Sequence, residues 1–408
     1  MTLLICVLLQ IPSAAPASGA AQNSAEIPAT TSHVRELVQQ LQDPAYSRRQ
    51  AATTELLRLP ETAGPALLEA QLSATGSIAA RLAELRAELQ RRWFRQRLVK
   101  LANPRAGAAE TGVNDFPHAA RLQQLLADDS AAVSPVASPE PEQAETGLLT
   151  ADPGKVLLQL LQAEPELFAA SLYEPARVPE LLEKRSSLMN DACDGREEVP
   201  FPTASALALM LVASQPETRL LRSTSSNISR PLDDPRFNRL VAAGRHRAVL
   251  RKLVSAWILR PGIAADRPLV FAIQHRLPAG RDVAVRVLQG GGRGPQLYYA
   301  CMCLAALNST VDIPLLNAHL KSAQPAWTKL NDAGKKEVAQ GEAASGAQVQ
   351  LRDAALAALV HLQQIPPERV GLKLIPSRQV LYRPDTVGAV NDEIREQRLL
   401  QYRAALVP

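Results

Sequence analysis

Apolar residues recur at helical spacing from the first part of the chain onward. Val34, Leu37, Val38 and Leu41 stand at positions i, i+3, i+4 and i+7, which places them on one face of a helix. Pro44 disfavours helical geometry in the residue before it, so this helix is expected to end there. The pattern predicts an amphipathic helix that buries one side.

The next helix has a predicted start, a predicted end and an apolar face. Ser47, followed by Gln50 three residues later, has the spacing of a capping box, in which side chains bond the free backbone N–H groups of the first turn. Pro60 ends the helix. Its apolar face comprises Ala52, Leu56 and Leu59.

A second helical hairpin follows the first. Its helices are predicted over Pro65–Leu72 and Ser77–Leu101. The interval between the two hairpins is roughly thirty residues, the low end of the range for helical repeats. Residues 32–102 are therefore predicted to form N-terminal helical hairpins.

The helical pattern fades over residues 103–154, where only Pro117–Leu126 looks helical. Ala131–Gln143 is rich in Pro, Ser, Ala and Glu and buries too little apolar surface to offset the entropy of ordering it. We predict a flexible linker or loop over 103–154.

Helical patterning returns over residues 155–365, which we predict to form the main helical array. Its clearest helix, His246–Leu259, carries apolar residues on one face and Arg247, Arg251 and Lys252 elsewhere. Further helices are predicted over Pro202–Ser214, Pro268–His275, Asp282–Leu288, Gln296–Leu307, Asp312–Leu320 and Gln348–Leu362. Asp312 is expected to cap its helix, with Pro314 in the first turn.

Three irregular stretches complete the predicted organisation. Gly290–Gly294 is expected to form a turn between two helices, and Lys321–Ala347 a long polar interruption. Residues 366–408 are predicted to form a C-terminal extension. Within it, Leu372–Ile375 and Gln379–Tyr382 are expected to be short extended pieces before a closing helix, Asn391–Leu406.

Composition favours an all-α fold. Apolar residues make up 46% of the 408 residues and aromatic residues only 4%, so the core must be built from Leu, Ala and Val. The net charge is +5, and most basic residues are Arg. A net charge this small could attract an acidic partner, but it more often reflects ordinary surface composition.

Residues 1–21 read as an export signal. Leu3–Leu9 is a short apolar run, followed by small residues with cleavage points after Ala17, Ala20 or Ala21. No Lys or Arg precedes the run, so either the α-amino group supplies the positive charge or the true start lies upstream. A fortuitously apolar N-terminus is the alternative. No other stretch is long and apolar enough to span a bilayer.

The cysteines do not suggest a disulfide framework, since cleavage would leave only Cys193, Cys301 and Cys303. Cys303 falls on an apolar helical stripe and is expected to pack as a small apolar side chain. Cys193 is expected in a polar loop as a free thiol, with a bridge to Cys301 as the oxidised alternative.

A family resemblance rests on Leu351-Arg352-x-x-Ala355-x-x-Ala358-Leu359, which resembles the second helix of HEAT repeats. Asp43–Leu59 is similar, with Asp43, Arg49, Ala52 and Leu56 in matching places and departures at Arg48 and Glu55. The resemblance implies a HEAT-like α-solenoid of stacked hairpins, as in exported bacterial proteins of this type. It also implies that Arg49 and Arg352 make structural hydrogen bonds at the turn between helices.

Known catalytic motifs are absent from the sequence: there is no HExxH helix, GxSxG elbow or Walker-type loop. His361 is expected to be a core-edge histidine rather than a ligand. The acidic stretch Asp191–Glu198 lacks the alternating oxygen ligands of a calcium loop and is expected to be solvated. The basic stretch Arg91–Lys100 contains Trp93 and Phe94, which we interpret as an apolar anchor rather than a nucleic-acid surface.

The sequence thus predicts a non-enzymatic interaction scaffold of the cell envelope or exported space. Its partner would be another protein or an acidic surface polymer, and nucleic acid is not expected. Arg247, Arg251 and Lys252 are the candidate partner-binding residues, with no cofactor and no metal. The alternative is an envelope enzyme, or an accessory subunit of one, whose site forms only in three dimensions.

Overall fold

In the computed structural model, the part of the chain that the structure describes is mainly helical, with two short strands. The all-α class predicted from the sequence is confirmed. The predicted signal peptide, residues 1–21, and most of the predicted linker, 103–154, lie outside the described residues. The structure describes residues 31–102, 116, 118–127, 153–196, 201–243, 247–290, 292–328 and 348–406.

The described residues divide into two compact units, with the boundary between Trp93 and Phe94. In the first unit α1 packs on α2 and α3 and buries Val34 and Leu37, as the apolar spacing predicted. Trp93 is buried and donates its indole N–H to the carbonyl oxygen of Leu59 at 3.0 Å, consistent with an anchor role. The helices are α1 (Thr31–Gln40), α2 (Tyr46–Leu56), α3 (Gly64–Ser73) and α4 (Gly76–Ala102), with the boundary between the units inside α4.

The turn between α1 and α2 is held by Arg49. Its Nη1 donates to the carbonyl oxygens of Asp43 at 2.8 Å and Pro44 at 2.7 Å, so the hydrogen bonds expected for this residue are present. The predicted capping box at Ser47 is wrong, because α2 begins at Tyr46 without a side-chain cap. The Asp43 carboxylate instead accepts the N–H of Ala45 at 2.8 Å, and this local turn starts the helix earlier.

The second unit contains the remaining helices and two short strands. The helices before the strands are α5 (Ala119–Ala127), α6 (Pro153–Ala163), α7 (Pro165–Tyr173), α8 (Val178–Cys193), α9 (Thr203–Ala213), α10 (Arg222–Ile228), α11 (Pro235–Ala243), α12 (Arg247–Ile258), α13 (Asp266–His275), α14 (Ala279–Gln289), α15 (Pro295–Ala306) and α16 (Ile313–Ala318). The strands are β1 (Pro325–Thr328) and β2 (Gln348–Gln350), followed by α17 (Leu351–Leu362), α18 (Pro384–Val387) and α19 (Asp392–Ala405).

The core of the second unit is built around three helices that are buried on nearly every side, α9, α15 and α17. A helix that is apolar all round belongs in the interior. α9 packs against α6 and α12, while α15 packs against α13, α14 and α17. Ala355 and Ala358 of α17 are fully buried, and small residues at such positions let neighbouring helices approach closely.

Gly280 permits the close packing of α13, α14 and α15. A Cβ atom at this position would lie 2.4 Å from Cβ of Ala272 and 2.8 Å from Sγ of Cys303. Both contacts are shorter than van der Waals distance, so any larger residue would force these helices apart.

The polar interruption predicted over residues 321–347 contains a strand at its start. β1 pairs antiparallel with β2, with Trp327 opposite Val349. The helix predicted from Gln348 therefore begins three residues later, at Leu351, where Gln350 and Asp353 form a capping box. The extended pieces predicted in the C-terminal extension do not form a ladder, and the contact there is a single bridge between Pro376 and Tyr382.

Asp312 occupies the cap position of α16, with Pro314 in the first turn, but its carboxylate does not cap the helix. It accepts hydrogen bonds from Nε of Arg281 at 2.7 Å, from Nη2 at 2.8 Å and from the hydroxyl of Ser309 at 2.6 Å. The predicted cap is wrong because a guanidinium that bonds both oxygens competes better than a backbone amide.

Cys301 and Cys303 are fully buried, and burial raises the pKa of each thiol to about 12. Cys303 therefore packs as the small apolar side chain expected. The prediction of a loop at Cys193 is wrong, because this residue is the last of α8. All three cysteines are free thiols, so the alternative bridge between Cys193 and Cys301 is not formed.

Candidate functional site

The three candidate partner-binding residues lie on α12, and two of them are engaged within the chain. Arg251 Nη2 donates to the carbonyl oxygens of His275 at 2.5 Å and Arg276 at 3.3 Å, which end α13. Lys252 Nζ donates to the carbonyl oxygen of Leu126 at 2.7 Å, at the end of α5. Arg247 is half-buried and makes no such contact in the part of the chain that the structure describes.

Arg251 carries a partly buried charge that no carboxylate matches among the described residues. Burial lowers the pKa of its guanidinium, and the nearby charge of Arg247 lowers it further. The same environment lowers the pKa of His275 to about 4, through burial and then through Arg251. His275 is therefore neutral near pH 7, with Nε2 2.7 Å from Oδ1 of Asn238 and its ring against Phe271.

Positive charge is concentrated in the middle of the chain. Residues 219–293 contain fifteen Lys and Arg, fourteen of them Arg, against four Asp and no Glu, a net charge of +11. The rest of the chain then carries thirty basic and thirty-six acidic residues, a net charge of −6, because the whole chain has 45 and 40. This uneven distribution of charge can be found by counting charges along the sequence, but the overall charge of +5 conceals it.

The four carboxylates of this segment are already engaged. Asp233 pairs with Arg267 at 2.5 Å, and Asp282 lies 3.7 Å from its neighbour Arg281. Asp234 accepts a backbone N–H at 2.7 Å, and Asp266 accepts the amide of Gln296 at 2.9 Å. The exposed arginines of the segment are Arg219, Arg222, Arg236, Arg239, Arg276, Arg286 and Arg293, and none has an acidic partner among the described residues.

A cleft of about 410 Å³ lies between α10, the loop after α12 and the start of α15. That volume is within the range of about 300–1,000 Å³ typical of ligand pockets. Two arginines, a serine and a glutamine supply its polar lining, and the lining contains no carboxylate. The lining residues are Leu220, Arg222, Ser225, Arg260, Pro261, Gly262, Ile263, Ala264 and Gln296.

Arg260 lines the cleft and fixes the chain after α9. Its guanidinium donates to the carbonyl oxygens of Ala213, Gln215 and Thr218, the second at 2.6 Å. Burial lowers the pKa of Arg260, and the charge of Glu217 opposes that shift only in part. The cleft wall thus contains a partly desolvated cation with no hydrogen bond to a carboxylate in the described part of the chain.

Arg222 is the exposed cation of the cleft. It is the first residue of α10, and its carbonyl oxygen accepts the hydroxyl of Ser225 at 3.0 Å. Its guanidinium has no partner within the described ranges, whereas the Gln296 amide is held by Asp266. The arrangement offers one free bidentate donor beside a fixed positive charge, which suits a carboxylate or phosphate group.

Other residues singled out in the sequence have structural roles. Arg352 donates from Nε to Oε1 of Gln350 at 2.6 Å and pairs with Asp392 of α19, so its structural hydrogen bonds join α17 to α19. The ring of His361 lies at the core edge, with Nδ1 2.8 Å from the hydroxyl of Tyr382. Trp93 and Phe94 are both buried.

Comparison with protein-family models, with curated proteins and with solved structures finds no match for this chain. The HEAT-like resemblance therefore stays a prediction. None of the described helices has the length and apolarity needed to cross a bilayer. In the same residues no three His, Cys, Asp or Glu side chains come together as metal ligands would.

Proposed function

We propose that this protein is a non-enzymatic interaction scaffold that binds an acidic partner through the arginines of residues 219–293. The observation that carries the proposal is the net charge of +11 in this segment, together with the internal engagement of its four carboxylates. An excess of unpaired surface cations attracts anionic partners and speeds their association.

The identity of the cations also supports a binding role. Fourteen of the fifteen are Arg, whose planar guanidinium bonds both oxygens of a carboxylate and keeps its charge at all relevant pH values. A surface needed only for solubility has no requirement for this geometry. Binding of this kind weakens as salt increases, because the exposed charges are screened.

The proposal also includes the location of the protein, which we place in the cell envelope or outside the cell. The apolar stretch Leu3–Leu9 supports export to the envelope or beyond. The alternative of an envelope enzyme would be supported by a cleft with converging carboxylates or histidines. The cleft described above combines arginines with apolar residues instead, an arrangement that favours binding.

The proposal is tested by binding of the whole chain to immobilised poly-L-glutamate, with a neutral polymer as the reference. The test variant is R236E/R239E/R276E, whose three positions are exposed within the basic segment. The control variant is K373E/R378E/R403E, which makes the same change in net charge at exposed positions outside it. We expect the test variant to lose retention and the control to keep most of it. Equal loss in both would contradict a role for residues 219–293.

A further inference from the structure

We infer that the cleft beside α10 receives an acidic peptide segment, with a carboxylate against Arg222 and an apolar side chain on the neighbouring wall. This inference rests on the proposed function and identifies where and how the partner is recognised. The cleft is assembled from three separate parts of the chain, Leu220–Ser225, Arg260–Ala264 and Gln296.

The charges of the cleft select an anion. Arg222 is exposed without a carboxylate partner among the described residues, and Arg260 is partly desolvated. A desolvated cation is unfavourable until an anion approaches it, so a bound carboxylate is stabilised by both groups. Two acidic residues of the chain lie near these arginines. Asp266 accepts a hydrogen bond from Gln296, and Glu217 is exposed on the loop before α10.

The apolar wall selects a peptide over a purely ionic polymer. Leu220, Pro261 and Ile263 line the cleft. Leu221 and Leu259, the chain neighbours of lining residues, are large apolar residues exposed to solvent at 58% and 38%. A phosphate polymer would leave this surface in water, whereas a segment with an apolar residue beside its acid would cover it.

The size of the cleft suits a short segment of a partner. A volume of about 410 Å³ lies at the small end of the ligand-pocket range and accommodates a few side chains rather than a folded surface. The other exposed arginines of residues 219–293 then act at longer range, by attracting the acidic partner toward the cleft.

The test uses fluorescence anisotropy of the whole chain with three short labelled peptides. The first alternates Glu with Leu, the second alternates Glu with Gly, and the third alternates Gln with Leu. We expect the Glu–Leu peptide to bind at least about tenfold more tightly than either of the others, a difference of about 1.4 kcal/mol. Equal binding of the Glu–Leu and Glu–Gly peptides would overturn the role of the apolar wall.

Variants at exposed positions locate the site. Arg222→Glu reverses the free cation, and Ala264→Trp fills the cleft without changing charge. Arg286→Glu, on the exposed side of α14 and outside the lining, is the matched control. We expect both cleft variants to weaken Glu–Leu binding by about tenfold or more and the control by about threefold or less. Glu217→Gln, which removes a competing charge, should strengthen binding.

The outcomes separate the cleft from the wider function. If the wild-type chain binds neither the acidic peptides nor poly-L-glutamate, the proposed function fails and this inference with it. If the wild type binds poly-L-glutamate but Arg222→Glu and Ala264→Trp behave like Arg286→Glu, the cleft assignment alone is overturned. Circular dichroism of each variant confirms that the helical fold is retained.

Discussion

Arg251 donates a hydrogen bond of 2.5 Å to the carbonyl oxygen of His275, and so ties α12 to the end of α13. The last carbonyl groups of a helix lack partners within the helix, and a guanidinium there also favours the negative end of the helix dipole. A residue that the sequence assigned to partner binding thus satisfies backbone groups of its own fold.

Because Arg251 makes these hydrogen bonds and Arg247 does not, the two arginines should differ in how much they stabilise the fold. We expect Arg251→Ala to lower the free energy of unfolding by about 1.5–3 kcal/mol, because it removes charged hydrogen bonds to two carbonyl groups. Arg247→Ala, one turn earlier and without such bonds in the described structure, should change it by less than about 0.5 kcal/mol. Urea unfolding followed by circular dichroism measures both. Equal effects would contradict the structural role given to Arg251.

The buried His275 predicts a loss of stability in acid. Its pKa is lowered to about 4 in the folded chain from 6.5, so the unfolded chain binds the proton more tightly. The stabilisation is complete above pH 6.5 and is lost as the pH falls toward 4, by about 3 kcal/mol for this group. We expect His275→Gln to reduce the slope of unfolding free energy against pH in this window. An unchanged slope would show that His275 does not titrate in this way.

Leu359 tests the core around α17. Its side chain is fully buried, so Leu359→Ala should cost about 2–5 kcal/mol through lost burial and the cavity left behind. Leu400→Ala, at a position 62% exposed on α19, provides the matched control and should cost less than about 0.5 kcal/mol. Thermal and urea unfolding measure the stability of both variants. Equal stabilities would contradict the burial of Leu359 in the core.

The closing helix α19 is held by a buried ion pair. Nε of Arg395 lies 3.0 Å from Oδ2 and 3.1 Å from Oδ1 of Asp353, and Nη2 donates to the carbonyl oxygen of Ala389 at 2.7 Å. Asp353→Ala should cost about 3–5 kcal/mol, because it removes the buried carboxylate beside Arg395 and leaves that guanidinium only the exposed carboxylate of Asp392, 2.9 Å from Nη1.

A double variant distinguishes this pair from a simple loss of packing. Asp353→Leu combined with Arg395→Met removes both charges, and we expect it to recover much of the stability lost in Asp353→Ala. Arg58→Ala breaks an exposed ion pair with Glu55 and should cost less than about 1 kcal/mol. A double variant no more stable than the single one would show that the charges themselves are not the cause.

Local apolar periodicity was sufficient to predict many of the helices. It did not single out Pro153–Ala163, Pro165–Tyr173, Val178–Cys193, Arg222–Ile228 or Pro235–Ala243. The helix predicted over His246–Leu259 is observed as Arg247–Ile258, because its spacing and flanking residues carry the information. The β1–β2 pair was not predictable in the same way, since strands separated by many residues meet only in the folded chain. The predicted capping box at Ser47 failed because the shorter-range Asp43 turn starts the helix first.

The candidate site was only partly readable from the sequence. The concentration of Arg over residues 219–293 is visible once charge is counted by segment. The sequence does not show which of these arginines bind other parts of the chain, because those contacts form only in the folded protein. Arg251 and Arg260 bind carbonyl groups from other helices and loops, while Arg222 does not. The cleft joins segments separated by more than thirty residues, so no local motif marks it.

The most direct test of the central claim is the salt dependence of binding of the whole chain to soluble poly-L-glutamate. We expect the logarithm of the association constant to fall steeply with the logarithm of salt concentration in the wild type. R236E/R239E/R276E should bind weakly with a clearly shallower slope, and K373E/R378E/R403E should keep a slope near that of the wild type. Binding that is absent, independent of salt, or equally reduced in both variants would contradict a function based on the arginines of residues 219–293.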